Sequence, residues 1–284
     1  MANPILTDDR LRKAAGGPAE DEAGWAAPAR ATTVSPEAAP DRVGAGGDGH
    51  GRAPVTGAAR PMTVGGTTSA TGVLLVLLMV AAAFGWMSVP VQDGEVTSFP
   101  AISLIGVLVG FAAVIACAFR PQWARFLAPV YALGEGFFLG AISKAYDAAY
   151  DGIVLSAIGA TVAVFAVMLI LYVTRVIKVT DKFRMVVIGA TFGIMLFYLV
   201  SVLFSLFGAS PSYFTSTSLL AIGINVIIAG VAALNLALDF DIIERGVAAR
   251  YPRSMEWYCG LGLLVTLVWL YLEMLRLLSR IQGR

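Results

Sequence analysis

Two acids, Asp239 and Glu273, stand inside the last two long apolar runs of this 284-residue chain. A third, Glu135, stands inside an earlier run, in Tyr131-Ala-Leu-Gly-Glu135-Gly136. A carboxylate in hydrocarbon is expensive. It is tolerated where it faces a bundle interior and meets a partner, so each of the three marks a candidate functional position. Asn225, Ile228, Ala232, Asn235 and Asp239 step by three and four, so they share one helix face. Cys259, Gly262, Thr266, Trp269 and Glu273 do the same. Consecutive helices are usually neighbours. Folding the two runs about the Tyr251-Pro252 break brings Asp239 and Glu273 within a turn or two of helix, at about 5.4 Å per turn. Two carboxyls that meet in low dielectric cannot both ionise easily, and they share a proton as a coupled site. Protonated, they hold each other; ionised, they repel. That is a pH switch without histidine.

A counter-charge is within expected reach. Arg120 closes the second run on the side where the sixth also ends, and is expected to pair with Asp239. Asp241 lies about 200° around the helix from Asp239. It is better placed for Arg245 at i+4, and Glu244 is expected to face solvent. Asn225 and Asn235 join Glu135 as candidates for an ion path, since calcium prefers several oxygen ligands.

Other chemistries are poorly served. His50 is the sole histidine, which gives no zinc site and little scope for imidazole catalysis. Cys117 and Cys259 sit in apolar runs and read as inert buried thiols. Asp239-x-Asp241 lacks the glycine and the later glutamate of an EF-hand loop. The Tyr-Asp and Gly-x-Gly-Asp signatures of intramembrane aspartyl proteases are absent, Gly262 being followed by Leu263. No enzyme activity and no cofactor are expected.

The elements that must position these residues follow from composition. The chain is 58% hydrophobic and 14% charged, where an ordinary soluble domain carries roughly a quarter charged residues. A net charge of +1 implies no nucleic-acid partner. Seven runs approach the roughly 20 apolar residues a spanning helix needs: Ser69 to Val89, Ala101 to Phe119, Trp123 to Ile142, Ile153 to Thr174, Arg184 to Phe207, Thr217 to Asp239 and Glu256 to Leu278. None alternates with the period of two that a β-barrel requires. Residues 1–68, rich in Ala, Gly and Pro, read as a disordered cytoplasmic tail, with a short amphipathic helix over Leu6 to Ala15. Residues 69–284 read as the transmembrane domain. No cleavable signal is expected, because no long apolar run begins before Gly72.

Basic residues gather at even-numbered helix exits: Arg120 and Arg125, then Arg175, Lys178, Lys182 and Arg184, then Arg245, Arg250 and Arg253. This puts the N-terminus in the cytoplasm of a multi-pass cell-membrane protein. Arg276, Arg280 and Arg284 break the pattern, so the last helix either crosses despite its charge or dips in and returns. The spacings Gly106/Gly110, Gly136/Gly140 and Gly189/Gly193 let helix backbones approach closely.

Arg120 together with Tyr131-Ala-Leu-Gly-Glu135-Gly136-Phe-Phe-Leu-Gly140-Ala-Ile-Ser143 resembles the second-to-third helix region of the Bax inhibitor-1 family, also called the transmembrane Bax inhibitor motif or YccA-like family. Leu238-Asp239-Phe-Asp241-Ile-Ile looks like the end of that family's sixth helix, and Leu270-Tyr271-Leu272-Glu273-Met274 resembles a segment of its last. The resemblance covers about Ser69 to Arg280. It implies six helices around a central C-terminal seventh, and a pH-sensitive calcium leak. It also implies that Asp239 and Glu273 act as the pH sensor and Arg120 as the latch, with Glu replacing the family's Asp in the last helix. The expected function is a passive calcium leak gated by protonation, in contact with lipid and calcium ions. The alternatives are a regulatory membrane protein without transport, such as a modulator of a membrane protease, and a proton-coupled transporter, for which no internal repeat is visible.

Overall fold

In hydrocarbon every backbone N–H and C=O must be bonded within its own segment, so single spanning runs become helices. The computed structural model describes residues 60–92, 95–207 and 217–283. Among them are seven helices long and apolar enough to cross a membrane. These are α1 (Val64–Met87), α2 (Ala101–Phe119), α3 (Ala124–Ala149), α4 (Ile153–Val173), α5 (Asp181–Leu206), α6 (Leu219–Ala248) and α7 (Ser254–Gln282). A two-residue hairpin, β1 (Val91–Gln92) against β2 (Glu95–Val96), links α1 to α2. The chain is an all-α, seven-helix membrane bundle. The expected Leu6 to Ala15 helix and most of the tail lie outside the described residues.

The helices outrun the apolar stretches that announce them. α1 begins five residues before the expected Ser69. Thr63 caps it by accepting from the Gly66 N–H at 2.9 Å. The carboxylate of Glu256 accepts from the Thr63 N–H and hydroxyl, each at 3.1 Å. That second cap comes from the start of α7, which no local pattern announces. α6 continues nine residues past Asp239, so Asp239 is inside a helix rather than at its end. α7 is a single 29-residue helix. It crosses, and the re-entrant alternative is set aside.

α7 is the central helix. In its most apolar stretch 56% of residues are buried, against 17–44% for the others. It packs on α1, α3, α4 and α6. One side joins a cluster that includes Leu74, Cys117, Tyr131 and Leu139 with Tyr258, Leu261 and Leu264. Another joins Met168, Tyr172, Leu236 and Phe240 with Leu263 and Leu270. The glycine spacings of α2 and α3 sit at real contacts. Gly106 faces the Gly134 backbone, and a Cβ at Gly140 would overlap the Ala82 carbonyl of α1. The Gly189/Gly193 pair of α5 does not follow the expectation. Both residues are exposed and have open space where a Cβ would be, so the pair makes no close helix contact here.

Seven crossings give the bundle two ends. The end where α1 begins also holds the α2–α3, α4–α5 and α6–α7 connections with their Lys and Arg, and is termed the basic end. α7 finishes at the opposite end.

Candidate functional site

The register of α6 against α7 decides which polar groups meet. The Asn225 side-chain amide donates to Glu273 Oε2 at 3.2 Å, so these two residues stand at equal depth. The facing register of α6 and α7 is therefore symmetric about residue 249, at the start of the connection that holds the Tyr251-Pro252 break. Asp239 lies fourteen residues further along α6, about 21 Å at 1.5 Å per residue. The same register puts it level with Cys259 of α7. The expected Asp239–Glu273 pair is thus not formed. Hairpin symmetry holds, but the midpoint of Asp239 and Glu273 is residue 256, seven residues past the centre of the register. The two shared faces are real: Asn225, Ile228, Ala232, Asn235 and Asp239 are all at most 3% exposed.

Arg120 does not reach Asp239 either. It caps α2, is exposed, and its guanidinium carbon lies 5.6 Å from the Trp123 ring centroid. A 3-10 turn over Pro121–Trp123 follows it directly and keeps it at the bundle's rim. Asp241 pairs with Arg245 at 2.9 Å as its spacing predicts, and also with Arg184 of α5 at 2.8 Å. Glu244 is half exposed. It accepts from Arg175 at 2.7 Å and from the Tyr172 hydroxyl.

Glu273 is the best-served acid in the bundle. It is 1% exposed. Oε1 accepts from the Tyr198 hydroxyl at 2.7 Å, from Arg276 at 2.9 Å and from the Trp269 indole at 3.3 Å. Oε2 accepts from Asn225. Arg276 also donates to the Tyr198 oxygen at 2.6 Å and lies 5.1 Å from that ring's centroid. A buried ion pair needs further hydrogen bonds on its remaining lone pairs and protons to offset desolvation. The donors here come from α5, α6 and α7.

Glu273 and Arg276 border a cavity of about 250 Å³ between α3, α5 and α7. Its walls include Tyr131 and Glu135 of α3, Met195 and Tyr198 of α5, and Thr266 and Trp269 of α7. The structure therefore brings Glu273 together with Glu135 rather than with Asp239. The pairing was hard to foresee because α3 and α7 are far apart in sequence. The one signal was that Glu135 sits mid-run, where no solvated reading accounts for it. Of the other path candidates, Asn225 holds Glu273, while Asn235 donates to Thr191 Oγ1 at 2.9 Å and to the Val231 carbonyl at 2.8 Å. Both amides are hydrogen-bonded within the bundle. Among the described residues no group of three or more His, Cys, Asp or Glu is placed to hold a metal ion.

Arg280, like Arg276, is drawn into the bundle. It is 4% exposed and donates to the Ala221 carbonyl at 2.8 Å. Two of the three arginines that disturb the charge pattern are thus engaged within the protein.

Comparison with known proteins agrees with this architecture. A family profile described as Bax inhibitor 1 like matches residues 3–283, a span that takes in the tail as well as the helices. No curated protein matches the sequence. With nearly the whole chain matched and seven membrane-spanning helices in place, the chain belongs to the Bax inhibitor 1-like family of multi-pass membrane proteins.

Proposed function

We propose that the protein is a passive cation leak, with calcium among its permeant ions, gated by protonation of Glu273. The observation that supports this reading is the Glu135–Glu273 cavity with Arg276 at its edge. Ionised Glu273 holds the Arg276 guanidinium against the cavity, and a fixed positive charge in a narrow pore repels cations. Protonation removes that attraction. Arg276 lies six residues from the end of α7 and can extend toward the headgroups, as long basic side chains near helix ends do. Glu135, on the opposite wall of the cavity, then offers carboxyl oxygens to a cation in transit. Few oxygen ligands line the cavity, so a calcium ion keeps part of its water and passes rather than settles. Asp239, buried nearer the basic end, is a second acid for the same path. Arg120 takes no part in the gate. By its concentration of Lys and Arg, the basic end faces the cytoplasm of the cell membrane.

Calcium flux into proteoliposomes tests the reading. Wild type should leak slowly at neutral pH and faster on acidification. Glu273→Gln, which mimics the protonated state, should leak at neutral pH and lose most of its pH response. Glu135→Ala, which removes the oxygens, should reduce flux at every pH, and Asp239→Asn should reduce it less. Wild type that passes no calcium at any pH would sink the proposal, as would Glu273→Gln with an unaltered pH profile.

A further inference from the structure

We propose that Tyr198 fastens α5 across the cavity through Glu273 and Arg276, and that α5 is the wall that moves when Glu273 takes up a proton. This inference rests on the gating reading above and adds the moving part. Three observations carry it.

α5 is the least enclosed helix, with 17% of its most apolar stretch buried. It packs chiefly on α6, and its glycine pair faces open space rather than a neighbouring backbone. Yet α5 supplies Ile194, Met195 and Tyr198 to the cavity wall. Tyr198 closes a triangle with α7: hydroxyl to Glu273 at 2.7 Å, Arg276 to hydroxyl at 2.6 Å, Arg276 to Glu273 at 2.9 Å.

The medium gives this triangle its importance. Lipid tails are as apolar as leucine, so the contacts of Ile194 and Met195 are readily exchanged for lipid. Hydrogen bonds have no such substitute in hydrocarbon. Two of the three sides, those that tie Tyr198 of α5 and Arg276 to the carboxylate, end on Glu273 Oε1. When its carboxylate gains a proton, the acceptor for the Tyr198 hydroxyl weakens and the ion pair with Arg276 ends.

The surroundings contain few competing charges. α3 presents Glu135 and Tyr131 across the cavity. α6 offers only the neutral amide of Asn225 at this depth, its Asp239, Asp241, Glu244 and Arg245 lying fourteen or more residues further along. α1 contains no titratable residue, Cys117 is the one in α2, and Tyr172 near the far end is the one in α4. On α7 itself Arg276 is the direct ionic partner, and buried Arg280, about two turns beyond Glu273, is turned to the Ala221 carbonyl of α6. Glu273 is therefore the acid whose charge sets the state of the triangle.

The test measures position rather than flux. Leu155 of α4 and Val202 of α5 are exposed near the same end of the bundle. Spin labels on cysteines at these two sites report the α4–α5 distance in a lipid bilayer, with Cys117 and Cys259 buried. At neutral pH a single distance is expected, and acidification should add a longer population. Tyr198→Phe and, independently, Glu273→Gln should each show the longer population at neutral pH. An unchanged distance in both variants would overturn the inference, as would a wild-type distance indifferent to pH. The outcome is separable from the leak. A pH-dependent distance without calcium flux keeps the moving wall and removes the leak. Gated flux with a fixed distance does the reverse.

Discussion

α3 and α5 both line the Glu273 cavity, but they are held in the bundle by opposite means. α3 is locked to α1 and α2 by backbone contact: Gly136 and Gly140 lie against α1, and Gly134 against Gly106 of α2. α5 carries its own Gly-xxx-Gly pair on an exposed face and is joined by side-chain bonds, Tyr198 to α7 and Thr191 to α6. In water both helices would be held by burying apolar surface. In lipid that force is largely absent, so attachment rests on close van der Waals fit or on hydrogen bonds. Fit of the first kind does not respond to pH. Bonds of the second kind do when one partner titrates. The same spacing of glycines thus marks a fixed scaffold in α3 and nothing comparable in α5.

The largest expected effect comes from placing one substitution on both glycine pairs. Gly140→Leu puts a branched side chain where the Ala82 carbonyl sits. Overpacking a tight core costs about 1–3 kcal/mol even when flexible side chains can yield, and here the obstruction is backbone. Loss of the monodisperse folded protein in detergent is expected. Gly193→Leu, with open space around it, should leave the melting temperature within a degree or two of wild type and can raise it slightly through better helix propensity. Equal damage from both substitutions would erase the contrast.

This contrast was only partly legible in the sequence. Seven apolar runs fixed the number and approximate place of the helices, because hydrocarbon leaves the backbone no other choice. The shared faces of α6 and α7 were legible too, since helical spacing alone defines them. The depth at which they meet was not. It depends on contacts distant in sequence near the helix ends, such as Arg184 of α5 on Asp241 and Glu256 on Thr63. The midpoint of Asp239 and Glu273, residue 256, lies seven residues from the observed centre at 249, which doubles into fourteen between facing partners. That offset puts Asn225, rather than Asp239, opposite Glu273. The Glu135–Glu273 cavity joins α3 to α7, and no spacing rule spans that separation.

A smaller effect would sharpen the account of α5. Asn235 is 1% exposed and bonds Thr191 across the α5–α6 interface. Asn235→Leu keeps a comparable volume and removes the bond. Interhelical hydrogen bonds in membranes are worth ~0.6 kcal/mol on average and up to ~1.7. A loss of ~1 kcal/mol in unfolding free energy is expected. Hydrogen exchange should rise more in α5 than in α3. Uniform change across the bundle would show that the amide supports the whole core rather than the attachment of one helix.

The smallest effects belong to the ion pairs of the basic end, which also tie α5 and the segment before it to α6. Arg184 and Asp241 expose 22% and 13% of their side chains, Arg175 and Glu244 66% and 49%. Exposed pairs contribute ~0.2–1 kcal/mol, and salt screens them over a Debye length of about 8 Å at physiological strength. Arg175→Ala should therefore shift stability by no more than ~0.5 kcal/mol, since the Tyr172 hydroxyl still reaches Glu244. Arg184→Ala should cost more, because it removes one of two cations on a mostly buried carboxylate. Its effect should persist in high salt while that of Arg175→Ala fades. Unfolding measured at two salt concentrations distinguishes them. If both respond alike to salt, α5 is attached to α6 at the basic end by solvated charge alone. The firm attachment of that helix would then lie at Asn235 and Tyr198, deeper in the bilayer.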